Sequence, residues 1–181
     1  MDKKKKIDKK KGIVFWITGL AGSGKTSIAS KILPFIKKRY GPTLSFNGDE
    51  LRKILDLNSY SKKDRLKVGL TYSRICKNIA DKKINVIIDV VGLLKKLRLY
   101  NKENIKNYVE IYIKSSVSLI IKKKKKKIYF NAKNKNKIWG SGLKPEFPTN
   151  SQITIVNDFS KSIKKLSYEL KEKIRNNILI K

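Results

Sequence analysis

The 181-residue chain contains no histidine and only one cysteine, Cys76. A single cysteine excludes an internal disulfide, and without histidine there is no His/Cys metal site. The absence of histidine also removes the commonest general base, so a carboxylate must carry out any proton transfer. Any metal ion should then be a hard ion that prefers oxygen ligands.

Acidic residues are also few, with 14 Asp and Glu against 45 Lys and Arg, for a formal net charge of +31. One interpretation is a polyanionic partner, because clustered lysines release counterions from phosphate-rich surfaces. The other is compositional bias, since Lys, Ile, Asn, Tyr and Phe share A/T-rich codons. The lysines are scattered and are not interleaved with a platform of stacking aromatics. We therefore favour bias and expect no nucleic-acid partner, although anionic substrates would still be attracted.

No apolar run approaches the length that crosses a bilayer, and residues 1–11 form a Lys/Asp run with no apolar segment behind it. We therefore expect a cytoplasmic protein without a membrane segment. The length suits one domain. We expect residues 1–11 to be a solvated, disordered basic tail and residues 12–181 to form the domain.

The most specific pattern is Gly19-Leu20-Ala21-Gly22-Ser23-Gly24-Lys25-Thr26, which matches the phosphate-binding loop G-x-x-x-x-G-K-[ST]. A β-rich apolar run at residues 13–18 precedes it and a helix-compatible stretch follows from Lys25, as the motif requires. Lys25 would reach the β- and γ-phosphates of a nucleotide and the Thr26 hydroxyl would hold Mg²⁺. The residues predicted to bind the nucleotide are Gly19, Gly22, Ser23, Gly24, Lys25, Thr26 and Ser27.

The remaining pattern alternates strands and helices. We expect a helix over residues 25–38, which Pro34 should kink or shorten, and a second helix with Val68, Tyr72, Ile75 and Ile79 on one face. Strands are predicted at residues 43–46, 84–91, 108–113 and 153–156. A last helix should begin near Asp158, with Asp158 or Ser160 as its N-cap.

The segment Asn47-Gly48-Asp49-Glu50-Leu51-Arg52 follows the second strand, at the edge where open α/β sheets bind ligands. Together, F-W-I-T-G-L at the loop and this N-G-D-E-L-R resemble the adenylylsulfate kinase family, whose members read W-x-T-G-L-S-G-x-G-K-[ST] and D-G-D-x-[LV]-R. Residues 59–65 resemble the family's F-[ST]-x-x-D-R, and Tyr129, Glu146 and Pro148 fall where the family has a lid. The resemblance covers about residues 13–157.

The resemblance implies a three-layer α/β P-loop kinase fold, with a mainly parallel sheet, helices on both faces and a lid at about residues 123–150. It implies transfer of the γ-phosphate of ATP, with Mg²⁺, to the 3′-hydroxyl of a small-molecule nucleotide acceptor. Lys25 and Asp49 would be catalytic, with Asp49 orienting or deprotonating the acceptor hydroxyl, and Arg52 and Arg65 would bind the acceptor with it. Family members are commonly dimers, so a homodimer is possible.

Three of these residues also have a purely structural interpretation. Asp49 could instead be a helix N-cap, and Arg65 a solvated charge at a helix end. Asp89, which ends the apolar run 86–88, could be a carboxylate that supports Mg²⁺ together with Thr26, or a polar residue at a strand end.

The sequence also departs from the family pattern on the acceptor side. Gly92 replaces a serine that is often phosphorylated, Gly69 and Thr71 lie where an Asn and paired Arg are expected, Lys123 and Lys124 replace the Arg-Asp of the lid, and Gly142 replaces an Asp. Adenylyl sulfate is the leading acceptor. Stretches such as T-Y-S-R-I-C-K resemble a branch from capsule and surface-sugar genes, some of whose members phosphorylate cytidine diphosphoramidate, which is the alternative. A degenerate P-loop protein that binds nucleotide without catalysis is the third interpretation.

Overall fold

A computed structural model describes residues 5–57, 60–123, 129 and 138–179 of the protein. These residues contain seven strands and six helices. In chain order they are β1 (Lys5–Lys6), β2 (Val14–Thr18), α1 (Lys25–Tyr40), β3 (Thr43–Asn47), α2 (Gly48–Ile54), α3 (Lys62–Asp81), β4 (Asn85–Val90), α4 (Lys95–Asn104), β5 (Tyr108–Lys114), α5 (Val117–Lys122), β6 (Ile153–Val156), α6 (Ile163–Asn177) and β7 (Ile178–Leu179).

The central sheet has five strands in the order β3-β4-β2-β5-β6, and every neighbouring pair is parallel. Strand β2 lies in the middle, and alternate side chains pack on opposite faces of the sheet. Val14 and Trp16 join the core beneath α3 and α4, whereas Phe15 and Ile17 join the core beneath α1 and α6. Burial on both faces explains why β2 and β4 read as continuous apolar runs. The predicted three-layer α/β fold is confirmed.

Helix α1 continues through Pro34 to Tyr40, so the proline does not shorten the helix, which extends beyond the predicted range of residues 25–38. The predicted start of the last helix, near Asp158 with Asp158 or Ser160 as its N-cap, is wrong. Helix α6 begins at Ile163, and its N-cap is Ser162, whose hydroxyl accepts the Lys165 N–H. The Asp158 carboxylate instead accepts the Ser160 N–H over 2.9 Å in the turn before the helix, a local bond that competes with helix formation.

The prediction of a solvated, disordered tail is wrong for its later part. Lys5 and Lys6 pair in parallel with Ile178 and Leu179 of β7, and Lys5 Nζ donates to the Tyr108 carbonyl. The Asn107 amide donates to the Asp8 carbonyl over 2.9 Å and accepts the Asp8 N–H over 3.0 Å. A charged run is thus held in place because its backbone groups and the Lys5 side chain find partners in the folded domain. Residues 1–4 lie outside the described residues.

The predicted lid at residues 123–150 is described only in part. Lys124 and the rest of 124–128 and 130–137 lie outside the described residues, whereas Lys123, Tyr129 and residues 138–150 lie within them. Among the helices that the structure describes, none is long and apolar enough to cross a membrane.

Candidate nucleotide-binding and acceptor site

A large cleft of about 1590 Å³ lies at the carboxyl ends of the central strands. The loop after β2 and the first turn of α1 line one side of it, and α2, α3 and residues 138–139 line another. This edge is where open parallel sheets bind ligands, because the loops and helix N-termini that follow the strands meet there. The predicted site residues Gly19 and Ser23 are buried. The other predicted site residues line the cleft, and they are Gly22, Gly24, Lys25, Thr26, Ser27, Asp49, Arg52, Arg65 and Asp89.

The phosphate-loop backbone has the conformation that the glycines permit. Gly22 has φ 82° and Gly24 has φ 94°, both in the left-handed region that favours glycine. A Cβ on Gly24 would lie 3.1 Å from Asn157 Nδ2, so the position is also sterically tight. Lys25 Nζ donates to the Leu20 carbonyl over 2.8 Å, which places the ammonium group inside the curve of the loop.

Thr26, Asp89 and Asn47 meet at the base of the cleft. Thr26 Oγ1 donates to Asp89 Oδ1 over 2.7 Å, while Asn47 Nδ2 lies 3.1 Å from Thr26 Oγ1 and 3.0 Å from Asp89 Oδ1. Asn47 belongs to the N-G-D-E-L-R segment, but its role here is not predicted by the sequence pattern. A hydroxyl beside a carboxylate is a donor set that fits Mg²⁺ with phosphates and water as its other ligands. Among the described residues, no group of three or more His, Cys, Asp or Glu side chains could hold a metal ion.

The environment of Asp89 acts on its charge. The residue is 5 % exposed, and this burial raises the pKa of the Asp89 carboxyl, against hydrogen bonding from Thr26 and the charge of Lys25. A bound cation would oppose the effect of burial because it favours the carboxylate form. A metal ion bound next to the phosphate-binding loop would therefore stabilise the charged form of the buried Asp89 side chain.

Asp49 lies in the first turn of α2, exposed at the cleft. The N-cap of this helix is Asn47, whose side chain accepts the N–H groups of Asp49 and Glu50. The interpretation of Asp49 as the cap is therefore wrong. The Tyr72 hydroxyl donates to the Gly48 carbonyl over 2.9 Å and so braces this turn. A Cβ on Gly48 would lie 2.8 Å from Val90 Cγ1, so glycine lets the start of α2 approach β4 closely.

Arg52 and Arg65 approach each other around an aromatic ring. The guanidinium Cζ of Arg52 lies 4.5 Å from the centroid of the Tyr60 ring, and that of Arg65 lies 5.3 Å from it. Arg65 Cζ also lies 5.7 Å from the Trp139 ring, and Arg65 Nε donates to the Tyr60 carbonyl over 2.9 Å. Burial, together with the charge of Arg52, lowers the pKa of Arg65. Arg65 is half-buried among cleft residues, which contradicts its interpretation as a solvated helix-end charge.

Several cleft residues had no signal in the sequence. Trp139 comes from a short turn closed by a bridge to Leu143, and Asn157 follows β6 at the far end of the chain. Asn157 is 1 % exposed, and its amide donates to the Ser23 carbonyl over 2.9 Å. Both reach the cleft through tertiary packing, so neither spacing nor a local motif could have identified them. Tyr129 was noted only as part of the lid, and its hydroxyl donates to the Ala21 carbonyl over 3.2 Å.

The parallel three-layer fold and the phosphate loop define a P-loop kinase, and solved structures agree. The fold matches the APS kinase of Mycobacterium tuberculosis, solved in complex with AMPPNP and APS, with a TM-score of 0.79 and 21 % identity, covering 91 % of this chain and 98 % of that one. The model of the adenylylsulphate kinase family matches residues 11–156. The chain therefore belongs to the adenylylsulphate kinase family and is a phosphotransferase that uses ATP and a hydroxyl acceptor.

Two curated relatives bear on the acceptor. The chain is 32 % identical over 145 residues to a cytidine diphosphoramidate kinase of Campylobacter jejuni, a match that covers 80 % of this chain and 85 % of the relative. It is 29 % identical over 148 residues to an adenylyl-sulfate kinase of Clostridium kluyveri, covering 80 % of this chain and 74 % of the relative. Both acceptors considered from the sequence are thus represented among its relatives.

Proposed function

We propose that the protein transfers the γ-phosphate of ATP to the 3′-hydroxyl of a nucleotide anhydride. The observation that carries this proposal is that the phosphate loop, Asp49 and the Arg52-Tyr60-Arg65 cluster all border one cleft. Phosphoryl transfer needs mainly positioning and charge neutralisation, and this cleft combines a phosphate-binding side with a cationic aromatic side.

The donor would bind along the loop. Backbone N–H groups and the N-terminus of α1 contact the phosphates, and Lys25 exchanges the Leu20 carbonyl for a phosphate oxygen. Thr26 would hold Mg²⁺ directly and Asp89 would support it, so that the ion neutralises charge on the β- and γ-phosphates. Asn47 fixes the orientation of both side chains because its amide donates to Thr26 Oγ1 and to Asp89 Oδ1.

The acceptor would bind against α2 and α3. Arg52 and Arg65 offer planar guanidinium groups for its anionic groups, and the Tyr60 and Trp139 rings offer faces for its base. Asp49 accepts the proton of the 3′-hydroxyl as that oxygen bonds to the γ-phosphorus. The bond between the γ-phosphorus and its bridging oxygen to the β-phosphate then breaks, and ADP leaves.

For the acceptor, we give first place to cytidine diphosphoramidate and second place to adenylyl sulfate. Of the two relatives, the cytidine diphosphoramidate kinase has the higher identity and is matched over more of its own length. Of the residues that depart from the sulfate-kinase pattern, Gly69, Gly92 and Lys123 line the cleft. Gly69 is one of them, and a Cβ there would lie 2.5 Å from Leu97 Cδ2, so Leu97 occupies the space that a larger side chain would need.

The test is to measure ADP release by the purified protein with Mg²⁺-ATP and each acceptor in turn. Turnover with the cytidine compound and little with adenylyl sulfate supports the first assignment, and the reverse result replaces it with sulfate activation. Binding of ATP without turnover on either acceptor would contradict the proposed reaction and favour a non-catalytic nucleotide-binding protein. Identification of the product as the 3′-phosphate by phosphorus NMR checks the position of transfer.

A further inference from the structure

The carbonyl groups of the phosphate loop are held from outside the loop as well as from within it. The Leu20 carbonyl accepts the Ser23 N–H over 3.2 Å and Lys25 Nζ over 2.8 Å, both from the loop itself. The Ala21 carbonyl accepts the Tyr129 hydroxyl over 3.2 Å, 108 residues away in sequence. The Ser23 carbonyl accepts Asn157 Nδ2 over 2.9 Å, 134 residues away.

These two distant contacts act on the peptide groups that precede the two left-handed glycines of the loop. A trans peptide is planar, so its carbonyl and the next N–H point in opposite directions. A bond that draws the Ser23 oxygen towards Asn157 therefore turns the Gly24 N–H the other way, and Tyr129 does the same for the Gly22 N–H. Glycine gives the backbone wide freedom, so these peptides need a restraint if their N–H groups are to face an anion.

Asn157 is itself fixed in place. Its backbone N–H donates to the Lys114 carbonyl over 2.8 Å, and its Oδ1 accepts the Phe159 N–H over 3.0 Å. With the side-chain oxygen committed to Phe159, the amide nitrogen faces Ser23. The 3.1 Å separation between Asn157 Nδ2 and a Cβ built on Gly24 shows how closely this side chain covers the loop.

We propose that Asn157 and Tyr129 are positioning residues that keep loop carbonyl oxygens out of the phosphate site and so direct the Gly24 and Gly22 N–H groups into it. The role rests on the proposed function, since it presumes that the loop binds a nucleoside triphosphate. A carbonyl oxygen turned towards a phosphate would repel it, so these two contacts raise affinity for the donor while contributing nothing to acceptor binding.

The principal test compares Asn157→Asp with Asn107→Asp. The first change keeps the acceptor for the Phe159 N–H and removes only the donor to Ser23. Asn107 is equally buried, at 1 % exposure, and its amide likewise donates to backbone carbonyls, those of Asp8 and Lys11, at the opposite edge of the sheet. Asn157→Asp leaves the Ser23 carbonyl without this donor, and Asn107→Asp leaves the Asp8 and Lys11 carbonyls without theirs, so both variants should lower thermal stability.

For Asn157→Asp we expect ATP binding to weaken about tenfold, measured by calorimetry, with KM for ATP raised by a similar factor. We expect kcat at saturating ATP and KM for the acceptor to stay near wild type. The Asn107→Asp control should bind ATP normally. Asn157→Ala separates the missing donor from the added charge, because it removes the donor without introducing a carboxylate and should weaken ATP binding as well.

Tyr129→Phe removes a hydroxyl and little packing, so it keeps the proposal testable if the Asn157 variants do not fold. We expect ATP affinity about three- to tenfold lower, with unchanged acceptor KM. The inference is overturned if folded Asn157→Ala and Tyr129→Phe bind ATP like wild type, or if Asn107→Asp weakens ATP binding equally. Failure of the wild-type protein to bind ATP would instead contradict the proposed function.

Discussion

Asn47 and Asp89 occupy paired positions on the neighbouring parallel strands β3 and β4, and the Asn47 amide donates to the Asp89 carboxylate over 3.0 Å. Because the pairing register fixes both backbones, the two side chains reach the same point at the end of the sheet. Thr26 completes the group from the first turn of α1. This arrangement lets one amide orient both oxygen groups proposed to support the metal ion.

Asp89→Asn should lower turnover by about 100-fold or more, which corresponds to roughly 2.7 kcal/mol of lost transition-state stabilisation, while nucleotide binding without Mg²⁺ stays near wild type. Amide oxygen still accepts the Thr26 hydroxyl, but the charge that supports Mg²⁺ is gone. The measurement is a Mg²⁺ titration of initial rates. Wild-type Mg²⁺ dependence in this variant would remove Asp89 from the metal site.

The same substitution has a pH-dependent effect on stability. Burial raises the pKa of Asp89 in the folded state, so the folded protein binds more protons than the unfolded chain between the ordinary and the raised pKa. The contribution of Asp89 to stability is therefore greatest at low pH and falls as pH rises through that interval. We expect Asp89→Asn to remove this slope in urea unfolding measured from pH 4 to 8. At Asp81, hydrogen bonds from Lys77 and Lys11 lower the pKa of the carboxyl, so this residue contributes stability that increases with pH. Asp81→Asn should therefore remove a rise in stability with pH, which is the opposite of the effect of Asp89→Asn.

Asp49→Asn tests the proposed base. We expect kcat to fall by about 100-fold or more, because general base catalysis contributes about 10²–10⁴-fold, with ATP affinity nearly unchanged. Glu50→Gln is the matched control, since Glu50 is also exposed in the first turn of α2 and loses the same charge. Rates and ATP binding are compared in parallel. Equal losses in the two variants would indicate a general charge effect and contradict a specific role for Asp49.

Lys25→Ala tests the phosphate loop. We expect ATP affinity to fall at least about 100-fold, because the ammonium group makes charge-assisted hydrogen bonds that no other group of this loop replaces. Lys31→Ala removes a charge from an exposed position of the same helix and should have little effect. Calorimetric titration with ATP provides the measurement, and near-normal affinity of Lys25→Ala would exclude the loop from the mechanism.

Arg65→Lys keeps the charge but loses the planar group that lies over Tyr60 and Trp139. Because an ammonium group cannot make paired, coplanar contacts, we expect KM for the acceptor to rise about tenfold while KM for ATP stays constant. Arg74→Lys, an exposed position on the same helix, is the control. A rise in KM for ATP instead would place Arg65 on the donor side of the cleft.

Local patterns predicted the elements that depend on local chemistry. The apolar runs at β2, β4 and β5 follow from burial on both faces of the sheet, and the glycine loop follows from backbone freedom. The position of Asp49 after β3 follows from the resemblance of N-G-D-E-L-R to the kinase family. The cap of α6 was misplaced because several Ser and Asp residues of one turn compete for the role. The docking of residues 5–8 was missed because it uses backbone groups and the distant Asn107.

The cleft residues that were not predicted are brought to the site by tertiary contacts and not by a local sequence motif. Asn157 and Trp139 reach the site from segments that carry no recognisable motif around them. By contrast, Glu110 did leave a signal, as the one acidic residue within the apolar strand β5. An isolated carboxylate in a buried strand requires a cation, and the structure supplies Arg98 and Lys102.

The ion pair between Arg98 and Glu110 leads to the last prediction. Arg98 Nε lies 3.3 Å from Glu110 Oε1, and the guanidinium also donates to the Glu146 and Phe147 carbonyls. Arg98→Met leaves a carboxylate that is 1 % exposed with Lys102 as its ion-pair partner among the described residues, so we expect the free energy of unfolding at pH 8 to fall by about 3 kcal/mol. Lys77→Met, which breaks an exposed pair with Asp81, should cost less than about 1 kcal/mol.

The loss in Arg98→Met should shrink as pH falls. Burial raises the pKa of Glu110 although Lys102 and Arg98 oppose it, and removing the arginine raises that pKa further. The folded variant then takes up a proton that the unfolded chain does not hold at the same pH, so lower pH favours the folded state. Urea unfolding at pH 8 and pH 5 measures the difference. Adding Glu110→Gln should recover much of the loss at pH 8, because an uncharged amide needs no cation. A loss that is independent of pH and persists in the double variant would mean that Arg98 stabilises the fold through the Glu146 and Phe147 carbonyls and not through Glu110.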